Sequence, residues 1–441
     1  MMIMNRFIRY LILLILFQFI LSDICFSSGS KEGILTLPMA IELAIKNNSL
    51  IREAVERQKA AIEAEKSARA DLFPELSAIY SYTRLKETPY AKFGPTRMDI
   101  GEKDNFHWEI TVTQPIFTGF SLLTLHKMAE LGVDIASLKR QEATIEISKR
   151  VKLAYFNILL ARKMLKVAEE EVQQLESHVK DAEKFYREGL IPYNDLLKSK
   201  VALAHAIQSR VSAKSNLDIA ISSLNTLLNL NINQKTKIED ILEIQPVLFN
   251  LNELFEEALE NRPELKAMHL ALKNAENRIR LARSSYYPQV ALVANYEQSG
   301  DNLNASNNDF GNAHNASIFL QMKWRFFKGG KTKAEIRKAL HEKRSLEEKL
   351  RGLKDLIRLQ TKEAFLRLKV AEKNIETAKE ALIQAKENFR ITNLQYQQQM
   401  TTSTEVLDAR TFLTQAEMNY YRALYGYRIE LAELERALGR K

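Results

Sequence analysis

The chain has 441 residues, a formal net charge of +9 and 27% charged residues. This length is enough for two or three ordinary domains. Only 14 residues are Gly and 9 are Pro, which leaves room for long uninterrupted helices. The positive charge is spread over segments that also contain many Glu, and no basic patch is interleaved with aromatic residues. A nucleic-acid-binding function is therefore not expected.

Residues 1–30 have the pattern of a secretory signal peptide. Two arginines precede an apolar run from Tyr10 to Leu21, and small residues follow it. The run is too short to span a bilayer, which takes about 20 residues. No later apolar run is long enough either, so any contact with a membrane would use strands. Cys25, the only cysteine, allows a lipid-anchored alternative, although Ile24 before it fits that motif poorly.

The first half predicts two helices, two strands and a long helical hairpin. A short amphipathic helix covers Leu37–Asn47, and a longer one covers Leu50–Leu72 before Pro74. Glu75–Lys86 alternates between apolar and polar side chains, which is the period of a strand. The remaining predicted segments are a loop at Thr88–Asn105, a strand at Phe106–Phe117, a helix from Gly119 to Glu188, a turn at Gly189–Pro192 and a helix at Tyr193–Leu230.

The predicted long helix carries a coiled-coil seam. From Ile147 to Tyr186 the seam residues alternate in steps of four and three, and one of the two seam positions is mostly alanine. At about 1.5 Å per residue, such a helix is about 100 Å long, far longer than a helix of a globular domain. Because the turn after it is short, the next helix should run back antiparallel to it.

The same order of segments then occurs a second time. Leu251–Tyr296 matches the stretch that starts at Leu37, so that Phe73-Pro74 corresponds to Tyr287-Pro288, and a second seam runs from Ile357 to Tyr396. A duplication of this length indicates two structural repeats, residues 31–245 and 246–441. The second repeat predicts strands at Gln289–Gln298 and Ala316–Phe327, a long helix at Lys331–Gln398 and a last helix at Thr404–Leu438.

The four predicted strands have one apolar and one polar face and about 10 residues each, the size of transmembrane strands. Four strands cannot close a barrel, which takes about eight, and lipid does not tolerate an open sheet edge. Membrane strands would therefore require several chains to share one barrel. The alternative is a soluble periplasmic coiled-coil scaffold or adaptor, in which the strands form hairpins packed on a core. A scaffold, however, has no need for strands with an apolar outer face.

Further motifs accompany the duplicated halves and the aromatic-Pro pairs: Gln114-Pro115-Ile116-Phe117, Tyr186-Arg187-Glu188-Gly189-Leu190 with Asp195, and Tyr396 with Glu405-Val406-Leu407-Asp408. Together these features make the chain similar to the TolC-type outer-membrane efflux protein family over essentially the whole mature sequence. The resemblance implies a mainly α fold with transmembrane β-strands: a homotrimer whose 12-stranded β-barrel continues into a periplasmic α-helical barrel. It also implies a channel in outer-membrane lipid that docks onto a periplasmic adaptor and an inner-membrane pump and passes drugs, toxic compounds or secreted proteins outward.

The resemblance also implies a gate at the turns of the two hairpins. In the family, acidic residues line a constriction at the periplasmic entrance, and by position these are Asp195, Glu405 and Asp408. Tyr396 matches a family tyrosine that bonds to an acidic residue on the neighbouring hairpin, so a Tyr396–Asp195 latch is expected. Thr401 stands where some members have an arginine, so one salt bridge of the closed state should be missing.

These acids also have a purely structural interpretation. Asp195 would stabilise the N-terminus of its helix, and Glu405 and Asp408 would lie on a solvated helix face. The predicted adaptor contacts are the exposed turn residues: Gly189 and Leu190 in the first turn and Met400 and Thr401 in the second. For Gly189, turn chemistry alone is an alternative.

No catalytic site is predicted. The seven histidines lack metal-ligand spacing, and the chain contains neither a Gly-rich phosphate loop nor a nucleophile elbow. We therefore expect a protein that is not an enzyme and has no metal or cofactor.

Overall fold

The computed structural model describes residues 34–241 and 249–441. The predicted signal peptide and the predicted boundary between residues 245 and 246 lie outside the described residues. The helices are α1 (Leu37–Asn47), α2 (Ser49–Ala70), α3 (Ser121–Arg187), α4 (Tyr193–Leu227), α5 (Leu251–Asn261), α6 (Pro263–Ser284), α7 (Lys331–Gln397) and α8 (Ser403–Ala437). The strands are β1 (Glu75–Arg84), β2 (Tyr90–Phe93), β3 (Thr96–Asp99), β4 (Asp104–Phe117), β5 (Gln289–Gly300) and β6 (His314–Lys323).

The structure departs most from the predicted segments in two places. The loop predicted at Thr88–Asn105 contains the small hairpin β2–β3. Gly94 in its turn has a φ of +63°. Across the hairpin, the guanidinium of Arg97 lies 3.9 Å from the ring centre of Tyr90. The strand predicted to reach Phe327 ends at Lys323. Beyond it the indole of Trp324 donates a hydrogen bond to the carbonyl of Tyr286, 3.1 Å away, outside the strand ladder.

The four longer strands of the two halves form one antiparallel sheet in the order β1-β4-β5-β6, and the β4–β5 pairing joins the halves. The register keeps most apolar side chains on one face and most polar side chains on the other. An apolar row crosses the sheet through Leu76, Val112, Ala294 and Ile318, and the neighbouring row is polar: Ser77, Thr111, Asn295 and Ser317. On the apolar face Leu76 is 71% exposed and Ile318 is 76% exposed. The sheet thus has an apolar face that nothing in the described chain covers.

The helical part is built on α3 and α7, each 67 residues long and therefore about 100 Å. Helices α4 and α8 follow the two turns and run back along the long helices, so we call them the return helices. Helix α3 packs against both of them, α4 on one side and α8 on the other, whereas α7 packs against only one of them, α8. Most of the α3 seam from Ile147 to Ala182 is buried, and the exceptions, Ala154, Ala161 and Leu165, are half-buried. The α7 seam is buried between Ile357 and Leu368 and again at Tyr396, and it is half-exposed in the stretch between them. A single chain therefore leaves one edge of its helical layer incompletely covered.

In each half, a buried side chain between the first two helices bonds to the end of the last helix. Asn48, between α1 and α2, donates its side-chain amide to the carbonyl of Leu227 at the end of α4, 2.9 Å away. Arg262, between α5 and α6, donates Nε to the carbonyl of Ala437 at the end of α8, 2.7 Å away. Both side chains are buried. They supply donors to carbonyl groups that the ends of α4 and α8 leave without helical partners.

None of the helices within the two described ranges is long and apolar enough to cross a membrane.

Candidate functional site

The two hairpin turns have the same backbone geometry. After α3, the amide of Leu190 donates to the carbonyl of Phe185 at 2.9 Å, and after α7 the amide of Met400 donates to Gln395 at 2.8 Å. This closing bond requires a left-handed residue just before it. Gly189 has this conformation in the first turn (φ +72°), and Gln399 has it in the second (φ +61°). The duplication therefore extends to the turns themselves.

The predicted adaptor contacts lie at the ends of these turns. Leu190 is 48% exposed, Met400 is 76% exposed, and Gly189 is also exposed, whereas Thr401 is half-buried. An unbranched, polarizable Met side chain adapts its shape to a partner. Each turn thus presents one exposed apolar side chain to its surroundings.

The three predicted gate acids occupy two environments. Asp195 is half-buried in the first turn of α4, and its carboxylate lies 3.5 Å from the ammonium group of Lys198. Lys198 also donates to the hydroxyl of Thr404 in the first turn of α8, 3.2 Å away. Glu405 and Asp408 are exposed, one turn apart on α8. Asp195 is therefore connected through Lys198 to the same helix that carries the other two acids.

Tyr396, the fourth predicted gate residue, is buried between two aromatic rings. Its ring centre lies 4.8 Å from that of His178 and 5.5 Å from that of Phe185. Burial raises the pKa of Tyr396, whereas the nearby hydroxyl of Ser403 lowers it. The negative charges of Asp181 and Asp195 raise the pKa further. Its hydroxyl has no hydrogen-bond partner among the described residues. Asp195 is therefore near but not bonded to Tyr396 in this single chain, and the latch stays a prediction.

Sequence reasoning missed a set of buried polar groups behind the turns. The imidazole Nε2 of His178 lies 2.8 Å from the hydroxyl of Ser403, which lies 3.0 Å from the hydroxyl of Ser199. His178 is 6% exposed, and the two serines are almost fully buried. We call His178, Ser199, Tyr396 and Ser403 the tip cluster. The only sequence signal was a histidine beside the α3 seam, close to the position where the pattern stops.

A second buried polar group lies on α8, below the tip cluster. The guanidinium of Arg410 is 3.9 Å from the carboxylate of Glu417, and both residues are buried. Nearby, Thr414 donates to the carboxylate of Glu171 on α3 at 3.0 Å. Burial lowers the pKa of Arg410 and raises the pKa of Glu417, because each charged form is poorly solvated.

Among residues 34–241 and 249–441, no group of three or more His, Cys, Asp and Glu side chains is arranged to hold a metal ion. At the tips, the described side chains instead form hydrogen bonds and aromatic contacts between helices.

Comparison with known proteins matches nearly the whole chain. The family model described as Outer membrane efflux protein matches residues 40–230 and 254–440. Outer membrane protein TolC of Escherichia coli (strain K12) is 23% identical over 436 residues, covering 94% of this chain and 84% of that protein. Alkaline protease secretion protein AprF of Pseudomonas aeruginosa is 21% identical over 432 residues, covering 95% and 86%. The chain therefore spans most of the length of both relatives.

The fold is also that of a solved channel. The crystal structure of the Campylobacter jejuni CmeC outer membrane channel superposes with a TM-score of 0.79 at 16% identity, covering 91% of this chain and 85% of that one. Since the family model matches two long segments separated only by the junction between the halves, this chain belongs to the outer membrane efflux protein family, with its place in the outer membrane and its helices extending into the periplasm.

Proposed function

We propose that three copies of this chain form an export channel, in which a 12-stranded β-barrel in the outer membrane continues into an α-helical barrel in the periplasm. One observation supports it above all: a four-stranded sheet with an exposed apolar face leads directly into two long helical hairpins. Strands β1 and β6 are open edges, and lipid does not tolerate unpaired backbone groups. Closure with neighbouring chains removes both edges, and the family resemblance supplies the number three.

The outer helices of a single chain support the same assembly. Helix α4 exposes Val211 and Ile219, each 61% exposed, and α7 exposes Val370 and Ile383, each 60% exposed. Because α4 and α7 lie at opposite edges of the helical layer, α7 of one chain would pack against α4 of the next. This contact would bury apolar side chains that a monomer leaves in water.

The cargo and partners follow from the family. The channel would take substrates from an inner-membrane efflux or secretion pump through a periplasmic adaptor that contacts Gly189, Leu190, Met400 and Thr401. The cargo would be drugs, toxic compounds or secreted proteins; the relative named as an alkaline protease secretion protein supports the last class. Members of the family are channel proteins and not enzymes.

The gate would lie at the tips. Three copies each of Asp195, Glu405 and Asp408 around an axis would form acidic rings, which attract cations. Tyr396 would hold the hairpins together in the closed state. The support for this assignment is that Asp195 and Lys198 connect α4 to the start of α8, which carries the exposed acids.

Cell fractionation followed by native mass measurement of the mature protein tests the proposal. We expect a protein that only detergent releases from the outer membrane and that has the mass of three chains. Release by osmotic shock as a monomer or dimer would mean that the strands do not contact lipid. The soluble periplasmic scaffold would then replace the channel.

A further inference from the structure

We infer that His178 holds the first turn of α8 in place in the closed tip, and that this contact makes closure sensitive to mild acid. The inference rests on the proposed channel and adds to it a residue that positions the gate and a signal that opens it.

The geometry places His178 at the junction of the two hairpins. It lies on α3, and its partner Ser403 is the first residue of α8, 225 positions later in the chain. Ser199 of α4 bonds to the same serine hydroxyl and also donates to the carbonyl of Asp195. Three helices therefore meet at one buried hydroxyl, and the two hairpins cannot separate at the tip without breaking these bonds.

The bond to Ser403 controls the position of the predicted gate acids. Ser403 follows the N-cap Thr402, and Glu405 and Asp408 lie within the next two turns of α8. The equivalent position in the first half is Tyr193, which is 54% exposed and instead packs its ring at a tilt against that of Tyr186. The buried serine is thus particular to the helix that carries two of the acids.

A proton on His178 would not be satisfied in this site. The ring's Nδ1 is buried and has no hydrogen-bond partner in the described chain. In either neutral tautomer of His178, Nε2 can bond to the hydroxyl of Ser403. The protonated ring carries an N–H at both nitrogens, and the one at Nδ1 would find no acceptor. Leaving a buried donor unpaired is unfavourable, and burying an unpaired charge is more so.

The charged groups around His178 do not reverse this conclusion. On its own helix the carboxylate of Asp181 raises the pKa of His178, but burial, the larger effect, lowers it. Tyr396 of α7 presents a neutral ring, and Ser199 and Ser403 are neutral hydroxyls. On α4 the carboxylate of Asp195 lies next to Lys198.

The direction of the pH effect follows from these contacts. In an open tip His178 would be hydrated and have an ordinary pKa of about 6.5. In the closed tip its pKa is lower, so protons bind preferentially to the open state. Closure is therefore fully maintained above about pH 6.5 and weakens as the pH falls below that value.

Amide hydrogen exchange of residues 403–408 in the full-length mature protein measures this directly. Between about pH 7.5 and about pH 5.5, after correction for intrinsic rates, we expect protection to fall by up to about tenfold, because pH 5.5 lies about one unit below the ordinary pKa of a hydrated histidine. His178→Gln should lose this pH response while keeping part of the protection, because an amide can still bond to Ser403 but does not titrate. Ser403→Ala should lose protection at both pH values.

The matched control is His205→Gln, the same change at an exposed histidine of α4, which should respond to pH like the wild type. A pH response of His178→Gln equal to that of the wild type, or no response in the wild type, would overturn the inference. Conductance in lipid bilayers, recorded in parallel, separates this from the channel proposal. A wild type that never conducts refutes the channel, whereas the exchange data still decide on His178.

Discussion

Gly189 and Gln399 occupy equivalent positions in the two hairpin turns and share a left-handed backbone, with φ of +72° and +61°. Only Gly adopts this conformation without steric cost; for other residues it costs roughly 1–2 kcal/mol. A Cβ added at Gly189 would meet no other atom within 4 Å, so the cost there would be backbone strain alone.

Exchanging these residues should shift stability in opposite directions. We expect Gln399→Gly to stabilise the second turn and Gly189→Gln to destabilise the first, each by about 1 kcal/mol. Amide exchange at Leu190 and Met400, whose N–H groups close the turns, measures the effect locally. Equal responses to the two substitutions would show that the turns are not strained in the way their φ angles indicate.

The buried junction residues Asn48 and Arg262 should each be important for stability. Asn48→Ala removes the donor to Leu227 and the cap of α2, and we expect a loss of about 2 kcal/mol. Arg262→Met removes the donors to Ala437 and Gln360 and should cost at least as much. Thermal unfolding followed by circular dichroism checks both, with the exposed Arg351→Met as control. Melting temperatures equal to that of the control would contradict this role.

Removing one partner of the Arg410–Glu417 pair should destabilise the protein, whereas replacing both partners by apolar residues should not. Glu417→Gln leaves the guanidinium of Arg410 buried without its carboxylate partner, and we expect a loss of about 3 kcal/mol. The double variant Arg410→Met with Glu417→Leu should be close to the wild type, because buried ion pairs seldom exceed apolar packing in stability. Denaturant unfolding of both variants tests this, and a double variant less stable than Glu417→Gln would sink the argument.

The two faces of the sheet should respond differently to charge. Ile318 and Ser317 are neighbours on β6 that point to opposite faces. We expect Ile318→Lys to reduce insertion into the outer membrane, because a lysine facing lipid costs about 2–4 kcal/mol near the midplane. Ser317→Lys should be tolerated, since its row is polar throughout. Cell fractionation with quantification of detergent-released protein compares them, and equal yields would argue against a lipid-facing apolar row.

The tip acids should control conductance. Asp195→Ala and Glu405→Ala are each expected to raise single-channel conductance, because each removes a contact or charge of the closed entrance. Asp408→Asn should reduce the preference for cations, since one ring of negative charge is lost. The control is Glu348→Ala, an exposed acid of α7 paired with Arg351. Currents unchanged from the wild type in all three variants would remove the acids from the gate.

Much of the architecture could be predicted because it depends on near neighbours in the chain. Periodicity and breakers predicted the bounds of α1, the bounds of α3 to within two residues, and the position of both turns. The strand predicted at Glu75–Lys86 ends two residues earlier, at Arg84. The β2–β3 hairpin was missed, since its strands are only four residues long, too short for a period to be recognised. The gate acids were located by resemblance, and the structure places two of them on an exposed helix face.

By itself the sequence determined the duplication, the strands with two unlike faces and the seams of the long helices, because each of these is a repeating local pattern. Only the tertiary structure decided that β4 pairs with β5 and that His178 meets Ser403, 225 residues away. Such contacts depend on how far each helix is rotated and shifted against its neighbour. Over helices of 67 residues, that rotation and shift are set by the packing of the whole seam, which no single stretch of sequence contains.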